Sequence, residues 1–251
     1  MEPQNLQTTQ SLLQLADLFV RQGRYAEAEP LYRRVLSVSE KRLGDHPDTA
    51  ILLAKLADVY REQGRYAEAE PLYQRALSIY EQQLGADHPL TASGLNSLAF
   101  LYQCQRNYLE AEVFHTRALT IREQQLGVEH PDTAISLNNL GMAYLDQGKK
   151  EQAEPLLQRA LVIRERRLGA DHPDTATSLN NLAECYRKQG RYAEAEPLYQ
   201  RAISICEQQL GRSHPRMTMY LNNLAFLYQN QGMYAKAEQV LRRALAINGQ
   251  Q

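Results

Sequence analysis

The segment Gly64-Arg65-Tyr66-Ala67-Glu68-Ala69-Glu70-Pro71-Leu72-Tyr73 returns as Gly190 to Tyr199, and this recurrence constrains the chain more than any other feature. Equivalent glycines stand at Gly23, Gly64, Gly148, Gly190 and Gly232, with Arg106 in the remaining slot. The first step is 41 residues and each later one 42. The short step is a deletion, where Leu43-Gly44-Asp45-His46-Pro47 stands against Leu84-Gly85-Ala86-Asp87-His88-Pro89. A fixed period of this length marks stacked supersecondary units, each burying its apolar face against the next.

Within one unit, Leu137, Leu140, Gly141 and Tyr144 fall at i, i+3, i+4 and i+7, which is one face of a helix. After Gly148 a second run places Ala153, Leu157, Ala160 and Leu161 at similar spacing, up to Leu168-Gly169. Gly169 suits a helix stop, and Pro173 with Asp174 suits the next start. The expectation is an all-α chain of about six helix-turn-helix units forming a single domain over 1–251. The repeats run approximately 8–46, 47–88, 89–130, 131–172, 173–214 and 215–249.

A period near 42 also fits other helical repeats, so length alone does not choose among them. The small-large pattern does. First helices carry Leu, a small residue, then an aromatic three further on, as in Leu56/Ala57/Tyr60 and Leu182/Ala183/Tyr186. Second helices carry spaced alanines such as Ala69/Ala76 and Ala195/Ala202. Small residues let helix axes approach closely while the aromatics fill the holes between them. This pattern resembles the tetratricopeptide repeat. The 42-residue period, the Leu-Asn-Asn-Leu segments and the Leu-Gly-x-x-His-Pro linkers are similar to the tetratricopeptide domain of kinesin light chains and its bacterial relatives, over roughly residues 8 to 248. The resemblance implies a right-handed superhelical solenoid whose concave groove, lined by first helices, receives short extended peptides. It does not imply a motor complex, because no heptad coiled coil is present in the sequence.

Lys plus Arg total 28 against 29 for Asp plus Glu, so there is no global basic surface for a phosphate backbone and nucleic acid is not an expected partner. Thirteen of the 15 tyrosines fall on repeat anchor positions, which favours packing over base stacking. No apolar run approaches 18 residues and Met1 to Gln10 are polar, so neither a membrane span nor a signal peptide is expected, and the location is expected to be cytoplasmic. Cys104, Cys185 and Cys206 lack CxxC spacing and read as ordinary helix residues. His46, His88, His130, His172 and His214 recur once per repeat in the linkers, too far apart to share a metal. They read as structural, and His115 as a core histidine. No nucleophile-base pair stands out, and neither a cofactor nor enzymatic activity is expected. Pro30, Pro71, Pro155 and Pro197 lie about one and a half turns into the second helices, predicting a local bend or a late start there.

The asparagines need a separate reason. Asn carries a helix penalty of about half a kcal/mol relative to Ala, yet Asn138/Asn139, Asn180/Asn181 and Asn222/Asn223 occupy mid-helix in three repeats, with Asn96/Ser97 in a fourth. Amides donate and accept, so they can pair with an extended peptide backbone whatever its sequence. The second Asn of each pair is assigned to ligand and the first to stacking between repeats. One turn on, Phe100, Met142, Glu184 and Phe226 are placed to form side-chain pockets, with Lys188 on the same face. Lys55 and Lys188 are its few cations, opposed by Asp17, Asp58, Glu62, Asp146 and Glu184, so an acidic ligand is not favoured. The expected function is a scaffold or adaptor that binds a protein or peptide. The alternatives are a structural or self-assembling array and a sensor coupled to a separate effector. Leu241, Ala244 and Leu245 should present an uncapped apolar face giving weak self-association through the ends.

Overall fold

The computed structural model describes residues 3–248, with side chains from residue 8 to 247. Twelve α-helices and no strand are found among the described residues. They are α1 (Pro3–Arg21), α2 (Tyr25–Leu43), α3 (Pro47–Glu62), α4 (Tyr66–Leu84), α5 (Pro89–Cys104), α6 (Tyr108–Leu126), α7 (Pro131–Asp146), α8 (Lys150–Leu168), α9 (Pro173–Lys188), α10 (Tyr192–Leu210), α11 (Pro215–Asn230) and α12 (Tyr234–Asn248). Odd and even helices pair into six hairpins. The chain divides into two compact units, 1–125 and 126–251.

The linker chemistry sets where each first helix begins. In α3, α5, α7, α9 and α11 a proline occupies the first turn, where its missing N–H is no loss. The histidine before it caps the helix: Nδ1 of His46 accepts the Asp48 N–H at 3.2 Å. His88, His130, His172 and His214 do the same for Leu90, Asp132, Asp174 and Arg216 at 3.1 Å. The buried hydroxyls of Thr91, Thr133 and Thr175 then donate to the carbonyls of Gly85, Gly127 and Gly169, each at 2.8 Å. Linker histidines are thus helix caps, which gives a physical content to their structural reading.

The tight turn inside each hairpin needs a left-handed residue. Gly23, Gly64, Gly148, Gly190 and Gly232 supply it with φ of 72° to 80°, and Arg106 adopts φ 62° in the third repeat. A side chain there costs about 1–2 kcal/mol relative to glycine. Arg106→Gly is therefore expected to stabilise the protein by about 1 kcal/mol in urea unfolding.

Packing follows the small-large pattern. Ala28, Ala69, Ala111, Ala153 and Ala195 are fully buried, and so are Ala118, Ala160 and Ala202. The prolines correct one expectation: α2, α4, α8 and α10 begin five residues before Pro30, Pro71, Pro155 and Pro197, so the helices do not start late. The four prolines are exposed, which lets water serve the carbonyl left without an N–H. A second correction concerns α12, where Ala244 is buried and Leu241 half-buried, so only Leu245 of the expected apolar face is open to solvent. No described helix is long and apolar enough to cross a membrane.

Candidate functional site

In the second unit α7 touches α9 and α9 touches α11, so these first helices lie side by side. Each carries its asparagine pair at mid-length. The first Asn is buried in two of the three, with Asn138 and Asn180 at 3% and 4% exposure, while Asn139, Asn181, Asn222 and Asn223 are half-buried.

The amides form a ladder between repeats. Asn138 Nδ2 donates to Ser178 Oγ at 2.8 Å, and Asn181 Nδ2 donates back to Asn138 Oδ1 at 3.4 Å. One repeat on, Asn223 Nδ2 donates to Asn180 Oδ1 at 2.9 Å, and Asn180 Nδ2 reaches Asn181 Oδ1 at 3.3 Å. Ser178 also accepts from the buried Arg164 at 3.0 Å. Burial holds the Arg164 guanidinium below its ordinary pKa. Asn138 and Asn180 thus join adjacent repeats. Asn181 and Asn223 clamp the preceding repeat, yet each carboxamide has two N–H donors and only one is engaged by that clamp. The sequence pointed to the asparagines but not to Ser178 and Arg164, because neither residue repeats in every unit.

A second layer lies one turn along. Tyr32, Tyr73 and Tyr199 on the second helices are buried, and their hydroxyls donate to Asp17, Asp58 and Glu184 of the same repeat, the last at 2.9 Å. Burial pushes all three phenols above their usual pKa, and the adjacent carboxylates add to it. Where the tyrosine is replaced by His115, Leu157 or Leu241, the acid is replaced by Phe100, Met142 or Phe226. A buried hydroxyl requires an acceptor, and an apolar partner does not. The chemistry of the exposed face therefore changes from repeat to repeat because that of the interior does. Glu184 is further held by Arg187 at 2.7 Å, so it is an internal ion pair rather than a receptor for charge. Lys188 is likewise turned inward, donating to the Leu145 carbonyl at 3.4 Å. Met142 is half-buried and Phe226 is 56% exposed.

This pairing is testable. Glu184→Met removes the acceptor of the Tyr199 hydroxyl and the anion beside Arg187, at about 1–3 kcal/mol. The double variant Glu184→Met/Tyr199→Leu, which copies Met142/Leu157, should lose less than the sum of its single variants by about 1–2 kcal/mol. Chemical denaturation of the four proteins reads that coupling.

In the first unit, Asn96 is buried against His115, whose Nδ1 lies 2.8 Å from Asn96 Oδ1 and whose Nε2 lies 2.9 Å from Gln103 Oε1. Ser97 is half-buried. Phe100 is 46% exposed, with the Arg61 guanidinium 4.6 Å from its ring centre. Lys55 is tied to Asp17 at 2.7 Å. No group of three or more His, Cys, Asp or Glu side chains placed to hold a metal occurs among the described residues.

Comparison with known proteins accords with this geometry. The tetratricopeptide repeat family matches residues 7–82, 51–123, 90–166, 151–208 and 174–249. No curated protein matches the chain. Among solved structures, a kinesin light chain-like protein of Podosopora anserina with nearly identical TPR-like repeats is 28% identical, with a TM-score of 0.63 over 80% of this chain and 96% of that one. BtubC (BKLC) from P. vanneervenii is 26% identical, with a TM-score of 0.68 over 92% of this chain and 91% of that one. The Rap conjugation gene regulator of plasmid pLS20, solved with the Phr* peptide, shares the fold at 15% identity and a TM-score of 0.70, over 95% of this chain and 73% of that one. The chain belongs to the tetratricopeptide repeat family and is kinesin light chain-like in its repeats.

Proposed function

We propose that the chain is a protein-interaction scaffold that holds a short extended peptide across its first helices, with the backbone of the peptide on the second asparagine of each pair. The observation that carries this reading is the row of half-exposed carboxamides on α7, α9 and α11. Asn139, Asn181 and Asn223 stand at one position of three adjacent helices, and the two whose partners are seen each spend one N–H on the preceding repeat. A row of polar groups repeating across parallel helices matches the donors and acceptors that repeat along an extended backbone. Met142, Glu184 and Phe226 flank that row on one side, and Asn96, Ser97 and Phe100 occupy the matching positions on α5. Ligand capture by the same fold in the Rap regulator supports peptide binding as something this architecture can do.

The test is selection from a library of unstructured peptides displayed on phage, followed by cross-linking from a photoreactive residue at position 226. Enrichment of peptides that cross-link to this face supports the scaffold reading. No enrichment, or cross-links confined to second helices, overturns it.

A further inference from the structure

The face around the amide row has a pattern of its own, and from it we infer that the peptide recognised by the second unit carries two adjacent pairs of apolar residues, the pairs about five to six residues apart, with uncharged polar residues between. This rests on the peptide-binding reading above and adds the ligand chemistry to it.

On each of the three helices the residues at i, i+4 and i+7 share one face. For α7 these are Ile135, Asn139 and Met142; for α9, Thr177, Asn181 and Glu184; for α11, Met219, Asn223 and Phe226. Ile135 is 36% exposed, Met219 43% and Phe226 56%, an unusual share of open apolar surface for helices whose other large apolar residues are mostly buried. The outer two helices thus present apolar residues on both sides of their amide. The middle helix presents none: the Thr177 hydroxyl is paired with Tyr220 at 3.1 Å, and Glu184 is neutralised by Arg187 and Tyr199.

A peptide whose N–H and C=O groups turn toward the amide row must project its side chains sideways, alternately to the two sides. Two consecutive residues can then meet Ile135 and Met142, one on each side, and two later ones meet Met219 and Phe226. Adjacent helices pack about 9 Å apart, so the two apolar positions are about 18 Å apart, or between five and six residues of extended chain. Because α7 and α11 are each apolar on both sides of the amide, alternation admits either count, and a spacing of about five to six residues follows. Between them the peptide crosses a layer with no charge to satisfy, because its one carboxylate is already engaged by a cation and a hydroxyl.

The experiment uses fluorescence anisotropy with labelled synthetic peptides of one composition, Ser, Gln and Gly apart from two Leu-Phe pairs set four, six or eight residues apart, and with a peptide bearing a single pair. The six-residue spacing is expected to bind roughly tenfold tighter than the other spacings, and Phe226→Ser or Met219→Ser to erase that advantage with melting temperature unchanged. Equal affinity at all spacings overturns the inference. So does failure of every designed peptide while library-selected peptides bind the face, which leaves the scaffold reading standing. A library that yields no peptide removes both.

Discussion

Replacing Asn139, Asn181 and Asn223 together by alanine is expected to lower the affinity for a selected peptide by about thirtyfold or more and to lower the melting temperature as well. Each hydrogen bond from an amide to a bound backbone contributes about 0.5–1.5 kcal/mol net, so three amount to roughly 2–4 kcal/mol. The stability effect comes from the ladder. Asn181 and Asn223 supply donors to the buried oxygens of Asn138 and Asn180, and removing them leaves each acceptor unpaired at about 1–3 kcal/mol. Better helix propensity returns only about half a kcal/mol per site. The two consequences separate in a second protein, Asn138→Ala/Asn180→Ala, which breaks the ladder from its buried side. It should melt early too, yet bind the peptide normally per folded molecule. Calorimetry and anisotropy on both proteins check this. A triple variant that melts early and still binds normally would reduce the amides to a structural ladder.

Acidification is expected to destabilise the first unit through His115. The imidazole is buried between Asn96 and Gln103, and burial pushes its pKa from 6.5 down to about 4. The unfolded chain therefore binds this proton more readily than the folded one, so stability present above pH 6.5 is lost as pH falls toward 4. Complete, the loss is about 3 kcal/mol, of which about 2 falls above pH 5, before most carboxylates titrate. Burial and the neighbouring Arg216 also depress the pKa of the linker histidine His214, which acts in the same direction. Denaturation in urea at pH 6.5 and pH 5 measures the slope. The variant His115→Leu/Gln103→Leu, which copies Leu157 and Leu145 of the following repeat, should remove most of it. An unchanged slope in that variant would show that other groups carry it.

How far the sequence foretold these sites depends on the kind of interaction. The hairpins were readable because the same apolar spacing recurs six times, and Ala69/Ala76 or Ala195/Ala202 are buried as the spacing requires. Local capping was harder to see. Histidine is outside the usual set of cap residues, so His46, His88, His130, His172 and His214 read as structural without a stated role. The acid and tyrosine pairing was present in the columns, Asp17, Asp58 and Glu184 against Tyr32, Tyr73 and Tyr199, but becomes intelligible only once burial shows that the hydroxyl has no water. Glu184 and Lys188 looked like ligand-facing charges and turned out to be occupied within the protein, because a charge at a half-buried position finds the nearest internal partner first. Ile135 and Met219 carry no signal in the sequence, since an apolar residue in a helix is ordinarily core.

The ties between repeats have a kinetic consequence. The inter-repeat hydrogen bonds of the amide ladder join residues 40 to 43 apart in sequence, and the Arg191–Glu154 ion pair joins residues 37 apart. Within each unit the main contacts of the described helices are with the next helix or the one after it. Every such contact closes a loop of about one repeat, so extending an array adds no longer closure to the entropy of folding. Any hairpin can act as the nucleus, and growth from it resembles zippering, with rates set by a single repeat and its neighbour rather than by the length of the chain.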